Sequence, residues 1–299
     1  FGISEQKVHE ITDSCSKKLL EVRSKRISPG LDDKILVSWN SLMITAFAKG
    51  YRVTNDVRYL DAAKDCISFI EKNLYVDGKL LRTYKNGTAK INGYLEDYSY
   101  FINSLLDVFE IEPDQKYLKL ALQLGRHLIE HFWDSENSSF FMTSDNHEKL
   151  IIRPKSNYDL SLPSGNSVSA FVMLRLYHLS QEQSFLDISL KIMESQAQMA
   201  AENPFGFGYL LNTISMYLEK PVEITIINSE NSELCNSLFT LYLPNSIMVS
   251  VKNSEQLNEL STYPFFSGKT FEEQTSVFVC KDFSCSLPLH TIDEVNSKL

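Results

Sequence analysis

The sequence predicts a mainly α protein, built as a partial (α/α)6 toroid with a small C-terminal α/β subdomain. Three observations indicate this fold. Strongly apolar helical segments alternate with amphipathic ones through the first two thirds of the chain. This alternation recurs at intervals of roughly 60–70 residues, longer than the common solenoid repeats. Past Pro221 the sequence pattern changes from helical periodicity to short β-branched runs, so we predict domains at 1–220 and 221–299.

The first helix is predicted in EQKVHEITDSCSKKLLEVRSKR, which has apolar residues at helical spacing: Val8, Ile11, Cys15, Leu19 and Val22. Pro29-Gly30 follows the segment and is predicted to end the helix. The next, SWNSLMITAFAKGYRV, has Ser38 as its predicted N-cap. Its predicted apolar face comprises Trp39, Leu42, Met43, Ala46, Phe47 and Tyr51. The segment RYLDAAKDCISFIEKNL is more amphipathic and predicts a half-exposed helix.

A β-hairpin is then predicted from the turn dipeptides of DGKLLRTYKNGTAKINGYLED. The apolar LEDYSYFINSLLDVFE and the amphipathic DQKYLKLALQLGRHLIEHFW follow, and SFFMTSDNHEKLIIRP predicts a second, irregular hairpin. The apolar SGNSVSAFVMLRLYHLS, the polar SFLDISLKIMESQAQMAAEN and the short YLLNTISMYLE complete the series. Such alternation suits an inner ring of apolar helices inside an outer ring. The tail predicts strands in PVEITIIN, NSIMVSV and SVFVCKDFSC, with helices between and after them.

Composition excludes several classes of function. The 299 residues carry a formal net charge of −9 and no long basic run, which argues against nucleic acid as a partner. We see no apolar stretch long enough for a membrane span and no signal-peptide pattern. The five cysteines are odd in number and mostly isolated, which favours a reducing, cytoplasmic location over a disulfide scaffold. The chain starts at Phe1, so we expect a fragment of a longer protein.

Polar and aromatic residues cluster where each predicted inner helix begins. If the inner helices run parallel, these clusters ring one opening. Acids near helix N-termini beside aromatic rings are typical of sugar recognition, and paired acids suit glycosidic chemistry. The candidate catalytic residues are Asp33, Glu96 and Asp97. The candidate ligand-binding residues are Asp32, Trp39, Asn40, Arg82, Tyr98, Ser164 and Asn166.

Plainer structural explanations stand beside these assignments. The helix dipole alone favours carboxylates at a helix N-terminus, and Ser164 suits an ordinary N-cap. Arg82 has two explanations: it binds an anionic ligand group, or it forms a structural salt bridge to Glu96 or Asp97. Asp32 and Asp33 either line the opening or pair with Arg23, Arg26 or Lys34.

We predict no metal and no cofactor. His127 and His131 lie four residues apart, but no third ligand accompanies them. Cys280 and Cys285 in CKDFSC are too widely spaced for a CxxC redox pair, and a second pair for zinc is lacking. The sequence also lacks a glycine-rich phosphate loop and a nucleophile elbow.

Three segments in order, RSKRISPGLDDKILVSWNSLMITAFAKGY, GYLEDYSYFINSLLDVFE and LPSGNSVSAFVMLRLY, resemble one family closely. It comprises the spermatogenesis-associated, thioredoxin-domain-containing proteins. The resemblance implies a helical domain similar to six-hairpin glycosidases and N-acylglucosamine 2-epimerases. It also implies that this chain is the C-terminal part, and that its partner is a missing N-terminal half with a thioredoxin-like domain. The closing VFVCKDFSCSLP is similar to the family's late cysteine element.

The sequence and the resemblance leave two hypotheses for function. The first is a pocket for a sugar-like small molecule at the toroid mouth; if it is an enzyme, it would be similar to a glycoside hydrolase or a sugar epimerase. The epimerases carry catalytic histidines on their inner helices, and we find none at the mouth positions of this chain. The second is a non-catalytic scaffold or interaction domain that works with a thioredoxin-like domain in redox or protein quality control.

Overall fold

The computed structural model describes residues 2–149, 151–230, 232–282 and 284–299. Its internal contacts divide the chain into two units, Phe1–Lys34 and Ile35–Leu299. The predicted division at residue 220 stays a prediction.

The first unit contains one long helix, α1 (Glu5–Ser24), at the place where the sequence predicts it. The Ser4 side chain caps its start by accepting a hydrogen bond from the Lys7 N–H at 3.3 Å. None of its residues is buried, so the apolar series from Val8 to Val22 is largely exposed.

The second unit is built mainly from helices in two layers, in the order α2 (Val37–Thr54), α3 (Val57–Leu74), α4 (Leu95–Ile111), α5 (Gln115–Phe132), α6 (Gly165–Ser180), α7 (Gln183–Glu202) and α8 (Gly208–Glu219). The inner helices α2, α4, α6 and α8 pack side by side in that order. Each of the outer helices α3, α5 and α7 packs against the inner helix before it and also contacts the next one. This arrangement is a partial α/α toroid, and the predicted fold class is confirmed.

Two small antiparallel sheets connect the helices. The first contains β1 (Ile35–Leu36), β2 (Tyr75–Val76), β3 (Lys79–Lys85) and β4 (Thr88–Asn92), which confirms the first predicted hairpin. The second pairs only β5 (Trp133–Asp134) with β6 (Ser139–Phe140). Beyond β6, up to the start of α6, the described residues form turns and irregular backbone where the sequence predicts a hairpin.

The apolar face predicted for α2 is only partly right. Its fully buried residues are Val37, Ser38, Ser41, Ile44 and Ala48, and three of these five have small side chains, which allow a neighbouring helix to approach closely. Of the predicted face, Leu42, Phe47 and Tyr51 pack half-buried against the core. Trp39, which is 62% exposed, Met43 and Ala46 lie at the surface.

The C-terminal part combines β7 (Val222–Ile227), α9 (Glu233–Phe239), β8 (Ser246–Val251), α10 (Ser254–Leu260), β9 (Ser276–Lys281), β10 (Ser284–Cys285) and α11 (Ile292–Asn296). Its sheet has the order β10-β9-β7-β8, with β7 and β8 parallel and the other pairs antiparallel. Alternate residues face opposite sides. Val249, Val251 and Phe278 join the core of the helical layers, while Ile224, Ile226 and Val277 pack in a second core.

Buried ion pairs join the inner helices to this sheet. Arg175 of α6 donates to Glu110 of α4 at 2.6 Å and lies 2.9 Å from Asp107. Arg52 of α2 contacts the same Glu110 at 2.7 Å and donates to the Met248 carbonyl of β8 at 3.3 Å. The sheet therefore lies at the C-terminal ends of α2 and α4, and their N-terminal ends lie away from it. Among the described residues, no helix is long and apolar enough to cross a lipid bilayer.

Candidate functional site

The helix N-termini meet as the sequence predicts, and hydrogen bonds between them show it. The Asp97 carboxylate, in the first turn of α4, accepts the Ser38 N–H in the first turn of α2. The Tyr100 hydroxyl of α4 donates to the carbonyl of Pro163, directly before α6. The Asp159 carboxylate accepts N–H groups at the starts of α6 and α8. The four inner helices therefore begin at one end of the layer.

A cavity of about 300 Å³ opens at this end, between the start of α4 and the segment that leads into α6. Three tyrosine rings, one carboxylate and apolar side chains dominate its wall. The lining residues are Tyr94, Leu95, Glu96, Tyr100, Met142, Ser156, Tyr158, Leu160, Ser161, Leu162, Pro163, Ser164 and Gly165. Of the predicted site residues, the cavity contains Glu96 and Ser164.

Tyr158 presents the most exposed aromatic ring of this wall, at 47%. Its ring packs against that of Phe207, with centroids 5.0 Å apart, and one edge lies close to Gly206. The neighbouring Asp159 N–H donates to the Gly206 carbonyl at 2.8 Å. These contacts hold one side of the ring, and Tyr158 keeps 47% of its surface exposed.

Gly165 sets the close approach of α4 and α6 at the floor of the cavity. A Cβ atom at this position would lie 2.8 Å from Cγ of Leu95 and 2.9 Å from its Cδ2. Both distances are shorter than real Cβ contacts allow. The glycine is therefore needed for steric reasons.

Asp97 is completely buried, and both of its carboxylate oxygens are used. One accepts the Ser38 N–H at 3.0 Å. The other accepts the Tyr94 N–H at 2.8 Å and an Arg82 N–H at 2.9 Å. Asp97 thus caps two helices and holds the β3 strand through Arg82.

The Asp97 carboxylate also caps α2, a role that the sequence analysis gives to Ser38. The α2 helix starts at Val37, and its N-cap is Leu36, two residues before the predicted N-cap; Leu36 offers no side-chain acceptor. Ser38 donates its backbone N–H to Asp97, and its hydroxyl finds no hydrogen-bond partner in the structure. The cap therefore comes from a residue distant in sequence, which local patterns cannot reveal.

Arg82 joins the two neighbouring acids of α4. Its guanidinium lies 2.8 Å from the Glu96 carboxylate and packs over the Tyr94 ring, 4.5 Å from the centroid. Of the two explanations given for Arg82, the salt bridge is the one present, and it involves both acids. Glu96 keeps 32% of its side chain exposed at the cavity wall.

Burial and the neighbouring charges shift the pKa values of Asp97 and Arg82 in opposite directions. Burial raises the pKa of Asp97, while the Arg82 guanidinium and the two backbone N–H donors favour its charged form. Burial alone would lower the pKa of Arg82, but Asp97 and Glu96 raise it overall. Arg82 therefore stays a cation, and its charge is compensated within the cluster.

Tyr98 lies in the protein core, outside the cavity. Its hydroxyl accepts the Leu80 N–H at 2.9 Å, and its ring stacks on His127 with centroids 5.0 Å apart. Burial raises the pKa of Tyr98 to about 12. The side chain thus attaches the first hairpin to the helices.

Ser164 and Asn166 organise the start of α6. Ser164 is the N-cap, as expected, and its hydroxyl accepts the Ser167 N–H at 3.0 Å. Asn166 is fully buried, and its amide forms three hydrogen bonds to backbone groups, two with Phe140 and one with Ser156, at 2.7–3.1 Å. Asn166 thereby positions the irregular segment that forms one cavity wall.

The remaining predicted residues lie elsewhere. Trp39 is largely exposed, and the Asn40 amide donates to the Leu36 carbonyl at 2.8 Å. Asp32 and Asp33 belong to the first unit. Asp32 forms an ion pair with Lys34 at 3.1 Å, one of the salt bridges considered from the sequence. A catalytic role for Asp33, Glu96 or Asp97 stays a prediction.

Tyr100 and Asp159 are the site residues that the sequence did not reveal. Tyr100 follows Glu96 by four residues on one helix, so helical spacing alone could have suggested it. Asp159 connects two helix starts, accepting the Ser164 N–H at 2.7 Å and the Tyr209 N–H at 2.8 Å. It stands in an irregular segment with no periodic signal.

The histidines and cysteines form no metal cluster within the described part of the chain. The rings of His127 and His131 have centroids 4.4 Å apart, and His131 bonds to Asp145 at 3.0 Å. Burial lowers the pKa of His127 to about 4, and the nearby His131 adds to this effect. Cys280 and Cys285, whose spacing does not fit a CxxC pair, are joined in a disulfide, although the few, isolated cysteines favour a reducing location.

The fold and the site place this chain in the class of mainly α proteins with an incomplete α/α toroid. No family profile matches it. Spermatogenesis-associated protein 20 of Homo sapiens is 26% identical over 97% of this chain, and that of Rattus norvegicus is 25% identical over the same share. Both alignments cover 39% of the relative, so the chain spans about two fifths of its relatives' length. These similarities confirm the resemblance to the spermatogenesis-associated proteins.

Two solved structures are similar to part of this chain at low identity. Cellobiose 2-epimerase from Bacillus thermoamylovorans is 14% identical, with a TM-score of 0.48 over 56% of this chain and 46% of that one. The GH76 α-mannanase from Bacteroides thetaiotaomicron is 12% identical, with a TM-score of 0.48 over 64% and 55% of the two chains.

Proposed function

We propose that the cavity at the starts of α4 and α6 binds a sugar-like small molecule. The observation that supports this proposal is the exposed Tyr158 ring in the same cavity as the Glu96 carboxylate. An aromatic face packs against the apolar face of a pyranose, while a carboxylate accepts hydrogen bonds from hydroxyl groups.

The size and polarity of the cavity also suit such a ligand. Its volume of about 300 Å³ is at the lower end of small-molecule sites, which run from about 300 to 1,000 Å³. Ser156, Ser161 and Ser164 add polar groups to a wall that is otherwise apolar and aromatic. A neutral polyhydroxylated ring fits this mixture better than a purely apolar ligand does.

The acids support binding more than glycosidic catalysis. A two-acid mechanism needs carboxyl groups about 5–10 Å apart on either side of the scissile bond. Among the described residues that line the cavity, Glu96 is the one carboxylate, and Asp97 has no exposed surface. We therefore propose binding as the function of this cavity, with Glu96 as its polar anchor.

The proposal can be tested by screening saccharides and sugar phosphates against the intact protein by saturation-transfer NMR. For the best ligand, titration calorimetry should show that Tyr158→Ala weakens binding about two- to tenfold, since aromatic packing contributes about 0.5–1.5 kcal/mol. Glu96→Gln should weaken it as well, because a carboxylate is the stronger hydrogen-bond acceptor.

Tyr242→Ala is the matched control, because Tyr242 is 89% exposed and does not line the cavity. It should bind the ligand as the wild type does. An empty screen, or equal affinity of the wild type and Tyr158→Ala, would contradict the proposed pocket.

A second candidate function is a non-catalytic scaffold. It is supported by ion pairs of acids that the sequence assigns to a site: Asp97 and Glu96 pair with Arg82, and, in the first unit, Asp32 pairs with Lys34. In this role the chain would work in the cytoplasm with the rest of the same protein, including a thioredoxin-like domain, in redox or protein quality control. Removing that domain should then abolish function in cells, whereas Tyr158→Ala should leave it intact.

A further inference from the structure

A disulfide joins the edge hairpin of the C-terminal sheet. Cys280 of β9 and Cys285 of β10 are directly opposite each other in the antiparallel pair, and their sulfur atoms are bonded. The strand β10 has two residues and lies at the edge of the sheet. This bond is separate from the cavity of the proposed function.

The two cysteines differ sharply in exposure. Cys280 is buried in the core that the helices share with one face of the sheet. Cys285 is exposed and lines an open groove of about 480 Å³, together with Ser286, Leu287 and Lys298. An incoming thiolate therefore has access to the sulfur of Cys285 but not to that of Cys280.

The hairpin does not depend on the disulfide. The Ser286 N–H donates to the Val279 carbonyl at 2.9 Å, and the Val279 N–H donates to the Ser286 hydroxyl at 3.2 Å. Val277 and Leu289 exchange two further backbone hydrogen bonds at 2.8 and 3.0 Å. The bond closes a loop of only five residues in sequence separation, and short loops gain least from a cross-link. Because these hydrogen bonds remain, we expect the strand to stay attached after the bond is cleaved.

We propose that Cys280–Cys285 is a thiol–disulfide exchange site whose co-substrate is a dithiol. A thiolate of the dithiol attacks the Cys285 sulfur, the bond between the two protein sulfurs breaks, and Cys280 leaves as a thiolate that takes a proton from water. The second thiol of the co-substrate then attacks the co-substrate's first sulfur, which is bonded to Cys285 in the mixed disulfide, and releases Cys285 as a thiol. The dithiol departs oxidised, and the protein pair has gained two electrons and two protons.

Lys281 and Lys298 line the same groove as Cys285. The buried Cys235 has no disulfide partner and serves as an internal reference for protection inside the fold.

The experiment treats the intact folded protein with dithiothreitol and, separately, with reduced glutathione, and follows each cysteine by alkylation and peptide mass spectrometry. Dithiothreitol should reduce the pair without loss of far-UV circular dichroism and while Cys235 stays unalkylated. Glutathione, a monothiol, should leave its adduct on Cys285. Reduction of the pair only at the rate of global unfolding would overturn the proposal. So would finding both cysteines still as free thiols after treatment of the protein with an oxidant.

Single variants test which sulfur is attacked. With oxidised glutathione, Cys280→Ser should form a mixed disulfide at Cys285 at least about tenfold faster than Cys285→Ser forms one at Cys280, because burial restricts access. Equal rates, or a faster reaction at Cys280, would overturn the proposed direction of attack. If Cys280→Ser fails to fold, the glutathione adduct trapped on the wild-type protein decides the same question.

Discussion

Asp97→Asn changes one atom of the buried carboxylate and should destabilise the whole helix layer. The amide retains a single acceptor oxygen, whereas the carboxylate serves Ser38, Tyr94 and Arg82 at 2.8–3.0 Å. At least one buried donor loses its partner, at a cost of about 1–3 kcal/mol. Breaking a buried ion pair costs about 3–5 kcal/mol. Because Glu96 still partners Arg82, we expect the lower part of that range, about 3 kcal/mol.

Urea unfolding at pH 7, followed by circular dichroism, measures this loss. A decrease of about 3 kcal/mol should lower the melting temperature by about 5 °C, because 299 residues at about 2.1 cal/mol/K each give an unfolding entropy of about 0.6 kcal/mol/K. Glu96→Gln is the matched control, because it removes the neighbouring, partly exposed acid and should cost less than about 1 kcal/mol. If Asp97→Asn unfolds within about 0.5 kcal/mol of the wild type, the assigned role of Asp97 is wrong.

Three further substitutions test other parts of the structure. Lowering the pH from about 6.5 to 4 should destabilise the protein partly through His127, because its folded pKa of about 4 lies below its unfolded value and the unfolded state therefore binds the proton first. In urea unfolding across this pH range, His127→Gln should lose less stability than the wild type. An equal loss of stability in both proteins would refute the argument. Asn166→Ala should cost about 2–4 kcal/mol, because its three hydrogen bonds to Phe140 and Ser156 are lost in a buried site. A melting temperature equal to that of the wild type would count against this assignment. Arg175→Ala should cost about 3–5 kcal/mol by leaving buried acids such as Glu110 undercompensated, and thermal unfolding that is unchanged would show that this network is dispensable.

The fold was predictable to a large degree because its signals are local. Helical periodicity located α4 and α5, and turn dipeptides located the hairpin of β3 and β4. The buried face of α2 was not predictable in this way. The fully buried residues of α2 are mainly small, which suits close packing of a neighbouring helix. Trp39 lies at the surface despite its size.

The convergence of the helix starts was predictable, but the contacts made there were not. Parallel inner helices bring Glu96 and Ser164 to one end, as the sequence suggested. The roles of Asp97 and Asp159 depend on backbone N–H groups of helices far away in sequence, which only the folded arrangement brings close. The disulfide of Cys280 likewise depends on strand register, because Cys285 must stand directly opposite it.

A crystal of the intact protein soaked with the best saccharide from the screen tests the proposed pocket most directly. We predict density for a pyranose ring against Tyr158, with at least one hydroxyl within hydrogen-bond distance of the Glu96 carboxylate. Saccharide bound only elsewhere on the protein, or an empty cavity at a saturating concentration, would contradict the proposed function.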